Sequence, residues 1–440
     1  MGPSATLLRA VQDVVRRVPG SYVASGIEAR MLPGMGVGVV ARERIPKDTL
    51  VFRATQDAWY QFSSEYALHQ AQQKAPEFVQ QLNALFASSA AFRDSSSFVP
   101  NALMLGTHLA MSAPGMSTSE SCDTSLADAY TESLPEYVDL PFYWDEQQFQ
   151  ALDGCHEVRQ SIQQSAQFYF QLYQHLFGTD NQVVPPERFF WSISVLMSRA
   201  TSGKAQPFTL IPFFDWFNHS SNGDECVQAY DSQTQSFVIH TTKEYAPGEQ
   251  LFINYGTHSN ARLLRNYGFT TASNPYDTVS LALPAELQQL DPTDSSSQDK
   301  STVLNALGLA SKLKALILGA NGELAPSSQA WLQMRLSDTN ELQAMVHQAS
   351  HDDTGKNQLA LPESLEQKLQ KVVNQLSQSR LKQHTISIEL FVTCPYLTSV
   401  FQHDEEFLAK HSLQMAPWLR GAMHIRLSEK QILTKTLSMK

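Results

Sequence analysis

The sequence is poor in cysteine: Cys122, Cys155, Cys226 and Cys394 are the only four in 440 residues, and no two form a CxxC pair. That pattern argues against a disulfide framework or a structural zinc site, so no metal is expected. A reducing compartment, cytoplasm or nucleus, is the default. No stretch approaches the ~18 consecutive apolar residues a membrane-crossing helix needs, so no membrane partner is expected. A basic excess is also missing. The formal net charge is −11, with 32 Lys and Arg against 43 Asp and Glu. A nucleic-acid binder would carry a basic stripe, so no nucleic-acid partner is expected either. An acidic chain suits steering toward a basic protein, and serves solubility equally well.

What is present is ordinary for a soluble chain: 42% hydrophobic and 17% charged residues, enough to bury a sizeable core. The length suggests two domains, or one domain with a large insertion. Near the N-terminus, Leu7, Leu8, Val11, Val14, Val15 and Val18 make an amphipathic stripe. Arg9, Arg16 and Arg17 on the same segment also fit an organelle presequence, which leaves an organelle open. Met1-Gly2 with Thr6 fits a loose myristoylation pattern that Pro3 disfavours.

Pro33-Gly34-Met35-Gly36-Val37-Gly38-Val39-Val40 reads as a tight turn feeding a strand, and Thr49-Leu50-Val51-Phe52 as the next strand, so 37–53 is expected to be a hairpin. Residues 63–90 have helical period, 112–133 form a loose Ser-rich stretch, and Asp145 with Gln148 forms a capping box that opens another helix. Pro185-Pro186-Glu187 opens a helix with Phe189, Ile193, Leu196 and Met197 on one face and Arg199 at its end. Strands are expected at 225–231, 235–240, 249–255 and 276–283, with a helix at 258–266. Residues 291–302 read as a polar linker, and everything beyond as helical, including the stripe Leu365, Leu369, Val372, Val373 and Leu376.

Three segments carry chemistry. Gly34-Met35-Gly36-Val37-Gly38 lets backbone approach a ligand. A strand rather than a helix follows it, which rejects a dinucleotide-binding turn. Pro212-Phe213-Phe214-Asp215-Trp216-Phe217-Asn218-His219-Ser220 places polar groups in an aromatic stretch, where they need hydrogen-bond partners. No second ligand stands at helical spacing from His219, so metal ligation is not expected there. Pro247-Gly248-Glu249-Gln250-Leu251-Phe252-Ile253-Asn254-Tyr255-Gly256, followed by Asn266-Tyr267-Gly268-Phe269, supplies aromatics for the wall of a narrow channel.

Taken in this order, the segments resemble the SET domain, and within it the branch of the Rubisco large-subunit lysine methyltransferase and the actin histidine methyltransferase. Leu140-Pro141-Phe142-Tyr143-Trp144, Arg199 at a Ser-Arg position, and Ala422-Met423-His424-Ile425-Arg426-Leu427 support that branch. The resemblance implies an α+β architecture: a β-rich SET fold over 1–283 with a knot-like crossing and a helical insertion at about 60–190, then an all-α substrate-binding domain over 284–440.

It also implies S-adenosylmethionine as cofactor, held by Met35, Gly36, Val37, Asn218 and His219, with Arg199 on its carboxylate. Tyr255 matches the catalytic tyrosine; Tyr267 and Phe269 match the channel wall. Asp215 is expected to brace the corner. The implied partner of this expected monomer is a non-histone protein with an exposed lysine. Histidine is the alternative acceptor, and a catalytically weak peptide-binding adaptor is a further one. Ala200-Thr201-Ser202 after Arg199 lacks the amide side chain expected of the actin-directed relative. A lysine acceptor must be neutral, which costs about 4–5 kcal/mol at pH 7 from a reference pKa near ~10.4. A desolvating aromatic channel beside a sulfonium lowers that pKa.

Overall fold

The computed structural model describes residues 2–88, 98–112, 125–178, 184–203, 206–223, 225–291, 293–306, 308–309, 312–343, 363–390 and 415–439. Most of the Ser-rich stretch, together with Cys122 and Cys394, lies outside them. The chain divides into two units. The first holds residues 1–143, 162–257 and 262–268; the second holds 144–161, 258–261 and 269–440. The units interleave along the chain, whereas the sequence suggested one boundary after residue 283.

In the first unit the stripe at the N-terminus folds as the helix Ala5–Arg17, with Ser4 accepting from the Leu7 amide and Leu8, Val11 and Val15 buried. Strand β1 is Tyr22–Val23. Strands β2 (Ile27–Leu32) and β3 (Gly36–Ala41) pair antiparallel across the Pro33-Gly34-Met35 turn. The expected 37–53 hairpin is therefore wrong in its pairing. β4 (Leu50–Ala54) pairs instead with β1 and with β9 (Ser236–His240), and β9 pairs with β8 (Val227–Asp231).

The reason is local. A three-residue turn closes β2 on β3 with little loop entropy, leaving β4 to fill the sheet interior with Val51 and Phe52, both 0% exposed. The far edge of β3 is covered by the Glu249–Leu251 backbone: Ala41 N donates to Glu249 O, and Leu251 N to Val39 O.

The short pair β5 (Thr201–Gly203) and β6 (Gln206–Thr209) follows the helix Pro186–Arg199, whose proline sits in the first turn where no amide partner is needed. β7 (Asn218–His219) and β10 (Phe252–Ile253) pair in parallel. The insertion is helical. Ser64–Lys74, Pro76–Ser88 and Phe98–Ser112 are followed by Leu126–Ser133, a helix where the sequence suggested only a loose stretch. Ser125 caps that helix. The core under the sheets is aromatic: Phe52, Trp59, Phe213, Phe217 and Phe237 are nearly or fully buried.

The second unit is mainly helical but not all-α. β11 (Thr278–Ala282) pairs antiparallel with β12 (Ala315–Gly319). Ala315-Leu316-Ile317-Leu318-Gly319 is a short apolar run that periodicity alone cannot assign. Its pairing with β11 buries Leu316 and Leu318 beside Val279 and Leu281. The polar linker at 291–302 is also corrected: Ser297–Ala306 is a helix. Lys300 is buried in it because its ammonium bonds Asp294 and the Ser337 carbonyl; Lys300, then Ser296, hold the Asp294 carboxyl down at about 2. The capping box at Asp145 and Gln148 forms as expected. The long helices Glu363–Leu390 and Pro417–Ser438 pack against each other.

Candidate active site

The parallel pair β7–β10 brings two distant segments to one place. Phe252 faces Asn218 and Ile253 faces His219. Beyond the strands, Ser220 N donates to Ile253 O at 3.1 Å, and Tyr255 N donates to His219 Nδ1 at 3.1 Å. His219 therefore presents a lone pair at Nδ1, a tautomer assigned from its partner. The Tyr255 hydroxyl donates to the Phe217 carbonyl at 2.8 Å. The Tyr255 ring lies between two others, His219 with centroids 5.2 Å away and Tyr267 at 5.1 Å.

Burial pushes the Tyr255 phenol above the range of an ordinary tyrosine; nearby Tyr267 and Asp215 add to that and Arg199 opposes it. Burial also raises Tyr267. Both stay protonated at neutral pH.

The corner before Asn218 is strained. Phe213 has φ +70°, unusual for a bulky side chain, and is held there by full burial against Phe52, stacked at 5.8 Å. This turn sends Asp215 inward. Its carboxylate is 1% exposed, and Oδ2 accepts from Arg199 Nη1 at 3.0 Å and from the Tyr130 hydroxyl at 2.8 Å. Burial raises the Asp215 carboxyl; Arg199 and Tyr130 pull against that. Burial acts to lower the Arg199 pKa, but the Asp215 charge overcomes it and the net direction is up.

At the other end of β10, Asn218 Nδ2 donates to Gln250 Oε1 at 2.7 Å, and Gln250 Nε2 reaches Met35 Sδ at 3.5 Å. These amides lie against Gly38. A Cβ there would come within 2.6 Å of Gln250 Oε1 and 2.9 Å of Asn218 Nδ2, and would strike Leu32 Cδ1. A side chain at 38 would push the Gln250 and Asn218 amides from this arrangement. Met35 is half exposed, and a Cβ on Gly36 would meet nothing, so the turn borders open space.

Of the residues singled out in the sequence, Met35 and Asn218 both bond Gln250, and Gly36 and Val37 begin β3 directly after the turn. Arg199, His219, Tyr255 and Tyr267 gather around the β7–β10 pair. Phe269 belongs to the second unit. Sequence reasoning missed Gln250 as a site residue, although it stood inside the Gly-Glu-Gln motif. It also missed Tyr130, which sits 85 residues from its partner and carries no local signal.

Gly268 has φ +77°, and a Cβ there would collide with the Asp139 carbonyl. Gly268→Ala is expected to destabilise the first unit by about 2 kcal/mol, the cost of a left-handed conformation plus the clash. A urea-unfolding midpoint equal to that of the parent chain would refute this.

The model of the SET domain family matches residues 36–256, half of the chain, from the first residue of β3 to the glycine after Tyr255. Among curated proteins, human SET domain-containing protein 4 is 25% identical over 296 residues, covering 55% of this chain and 67% of that protein. The chicken actin-histidine N-methyltransferase is 23% identical over 327 residues, 70% of this chain but 51% of its own length. The fission yeast ribosomal lysine N-methyltransferase set10 is 29% identical over 166 residues, 34% of this chain and 29% of its own length. The chain thus spans about half or less of the latter two.

Two solved structures share the fold over 99% of this chain and 91% of theirs, each at 20% identity. They are the SET domain of LSMT bound to lysine and AdoHcy, with a TM-score of 0.67, and Rubisco LSMT bound to AdoMet, with 0.63. The family match encloses the β7–β10 pair with His219 and Tyr255, and on that match the chain belongs to the SET domain family.

Proposed function

We propose that this protein is an S-adenosylmethionine-dependent protein N-methyltransferase whose acceptor is a lysine side chain. The observation that carries the reading is Tyr255, half-buried between His219 and Tyr267 with its hydroxyl tied to the Phe217 carbonyl. Such a wall desolvates an incoming amine and favours its neutral, nucleophilic form.

The residues at hand fit the cofactor. Arg199 uses Nη1 on Asp215, and its other nitrogens make no polar contact among the described residues, so they can take a carboxylate side-on. Asn218 and His219 on β7, with exposed Met35 at the turn and Gly36 and Val37 at the start of β3, frame the rest of that pocket. Bound there, the cofactor supplies an electrophilic methyl on a sulfonium.

The protein's part is alignment and exclusion of water. Arg199 fixes the carboxylate end, the glycine turn admits backbone contact, and Tyr255 and Tyr267 line the acceptor's approach. Among the described residues the carboxylate near Tyr255, Asp215, is committed to Arg199 and Tyr130 through Oδ2 and is not available to take the acceptor proton. The proton leaves the amine to water before the channel is filled. Phe269 is assigned to the channel wall on the resemblance alone.

A histidine acceptor is the second reading, supported by alignment of the actin-histidine N-methyltransferase over 70% of this chain. The purified chain incubated with labelled S-adenosylmethionine and cell extract is expected to label a discrete protein, with the methyl on lysine when the peptide is sequenced by mass spectrometry. A methyl on histidine selects the second reading. Absence of both labelling and calorimetric AdoHcy binding overturns the methyltransferase itself.

A further inference from the structure

The Tyr130–Asp215–Arg199 chain links the helical insertion to the candidate cofactor pocket. Tyr130 lies on the Leu126–Ser133 helix, is 0% exposed, and packs edge-on against Phe62 at 4.8 Å. It has no access to solvent or to a ligand. Its hydroxyl nevertheless donates to Asp215 Oδ2, the same oxygen that accepts from Arg199 Nη1. The second oxygen, Asp215 Oδ1, is buried with no hydrogen-bond partner among the described residues. A carboxylate beside a guanidinium ordinarily uses both oxygens in a two-point grip. Here both donors converge on one oxygen, and the grip is single.

We propose that Tyr130 is a positioning residue for cofactor binding: by holding Asp215 through Oδ2, it keeps Asp215 from seizing Arg199 with both oxygens and leaves guanidinium donors for the cofactor carboxylate. The inference rests on the reading of Arg199 as the carboxylate ligand. The physical logic is competition. Two carboxylates, one built in and one arriving, share a planar fork of donors. Without the phenol, Asp215 keeps only Arg199 as partner and its bare oxygen turns toward the remaining donors. The arriving carboxylate then meets a guanidinium already satisfied. The insertion helix thereby becomes part of the cofactor site without touching it, and a mutation in the Phe62 shelf would act by the same route.

The test compares two ligands on the full chain by calorimetry: AdoHcy, and its decarboxylated analogue, which keeps the amine and lacks the carboxylate. Tyr130→Phe is expected to weaken AdoHcy roughly ten-fold, in the range of one hydrogen bond to a charged group, and to change the decarboxylated ligand less than about two-fold. A purely structural role would weaken both alike, and that result overturns the proposal, as does an unchanged AdoHcy affinity. If the parent chain itself fails to bind AdoHcy, the proposed function falls rather than this inference. Should Tyr130→Phe not fold, Asp215→Asn answers the same question. It removes the competing carboxylate, so AdoHcy should keep its preference over the decarboxylated analogue to within about three-fold; a larger loss of that preference overturns the proposal.

Discussion

Tyr255→Phe is expected to lower the rate of methyl transfer by about 10²–10³-fold, the effect of removing one well-placed polar group from a reaction centre. The chain should remain folded, because the ring keeps its neighbours His219 and Tyr267 when the bond to the Phe217 carbonyl is lost. That single loss costs about 1 kcal/mol of stability. The phenol does not act as a proton acceptor, since burial holds its pKa up and Asp215 and Tyr267 push it further. The rate should therefore rise with pH in parent and variant alike, tracking deprotonation of the acceptor amine. Single-turnover transfer across pH, with AdoHcy affinity as the control for folding, checks both parts. A variant that keeps a third of the activity, or one that loses the pH-dependent limb, would remove Tyr255 from the proposed mechanism.

Much of this site was legible in the chain because its parts are short and local. The glycine turn announced β3, the proline pair announced the helix that ends at Arg199, and Gly-Glu-Gln announced the segment that reaches Tyr255. The pairing of β4 was not legible. Strand register depends on which distant edge is apolar, and β9 lies almost 190 residues away from β4. β12 was missed because five apolar residues satisfy a helix and a strand equally. The helix at Ser297–Ala306 was missed because its sequence is polar; tertiary contacts order it, with Lys300 bonded to Asp294 and Leu304 buried in the core.

Tyr130 shows the deepest gap. A tyrosine in a helix of ordinary composition says nothing of a carboxylate 85 residues on; its role exists only after the insertion has packed against the Phe213 corner. Legibility here follows contact distance along the chain. Groups that meet their partners within a turn or hairpin leave a pattern, and groups that meet them through tertiary packing leave none.

In the second unit, Glu429→Ala is expected to cost about 3–5 kcal/mol, the usual result of removing one partner from a buried ion pair. Glu429 is 7% exposed, and its Oε2 receives Arg380 Nη2 at 2.9 Å and His384 Nε2 at 3.0 Å. Arg380 also pairs with Glu157 at 2.6 Å, through a buried Oε2 on a side chain that is 39% exposed as a whole. Taking away Glu429 leaves a guanidinium inside the fold with one carboxylate in place of two.

Cys155, His384 and Glu429 bring ligand atoms within 4.8 Å of one another, a set that could attract a metal. The surrounding charges argue otherwise. Arg380 already neutralises Glu429, Arg426 acts on the same cluster, and burial followed by the Glu429 charge keeps the Cys155 thiol protonated. A chelator should therefore leave the melting temperature of the parent chain unchanged.

The acid response follows from two directions of shift. Burial lowers His384, so the fold keeps it neutral and stability falls as pH drops below about 6.5. Burial would raise Glu429, but His384 and Arg380 win and its carboxyl lies below the ordinary value. Its contribution is full above about 4.3 and is lost as pH falls through the lower, folded value. Glu429→Ala should remove that second limb and deepen the first, because Glu429 also holds the His384 pKa up against burial. Denaturant midpoints of parent and variant from pH 7 to pH 3 measure both. If the two curves run parallel across that range, Glu429 is not the charge that ties these helices together.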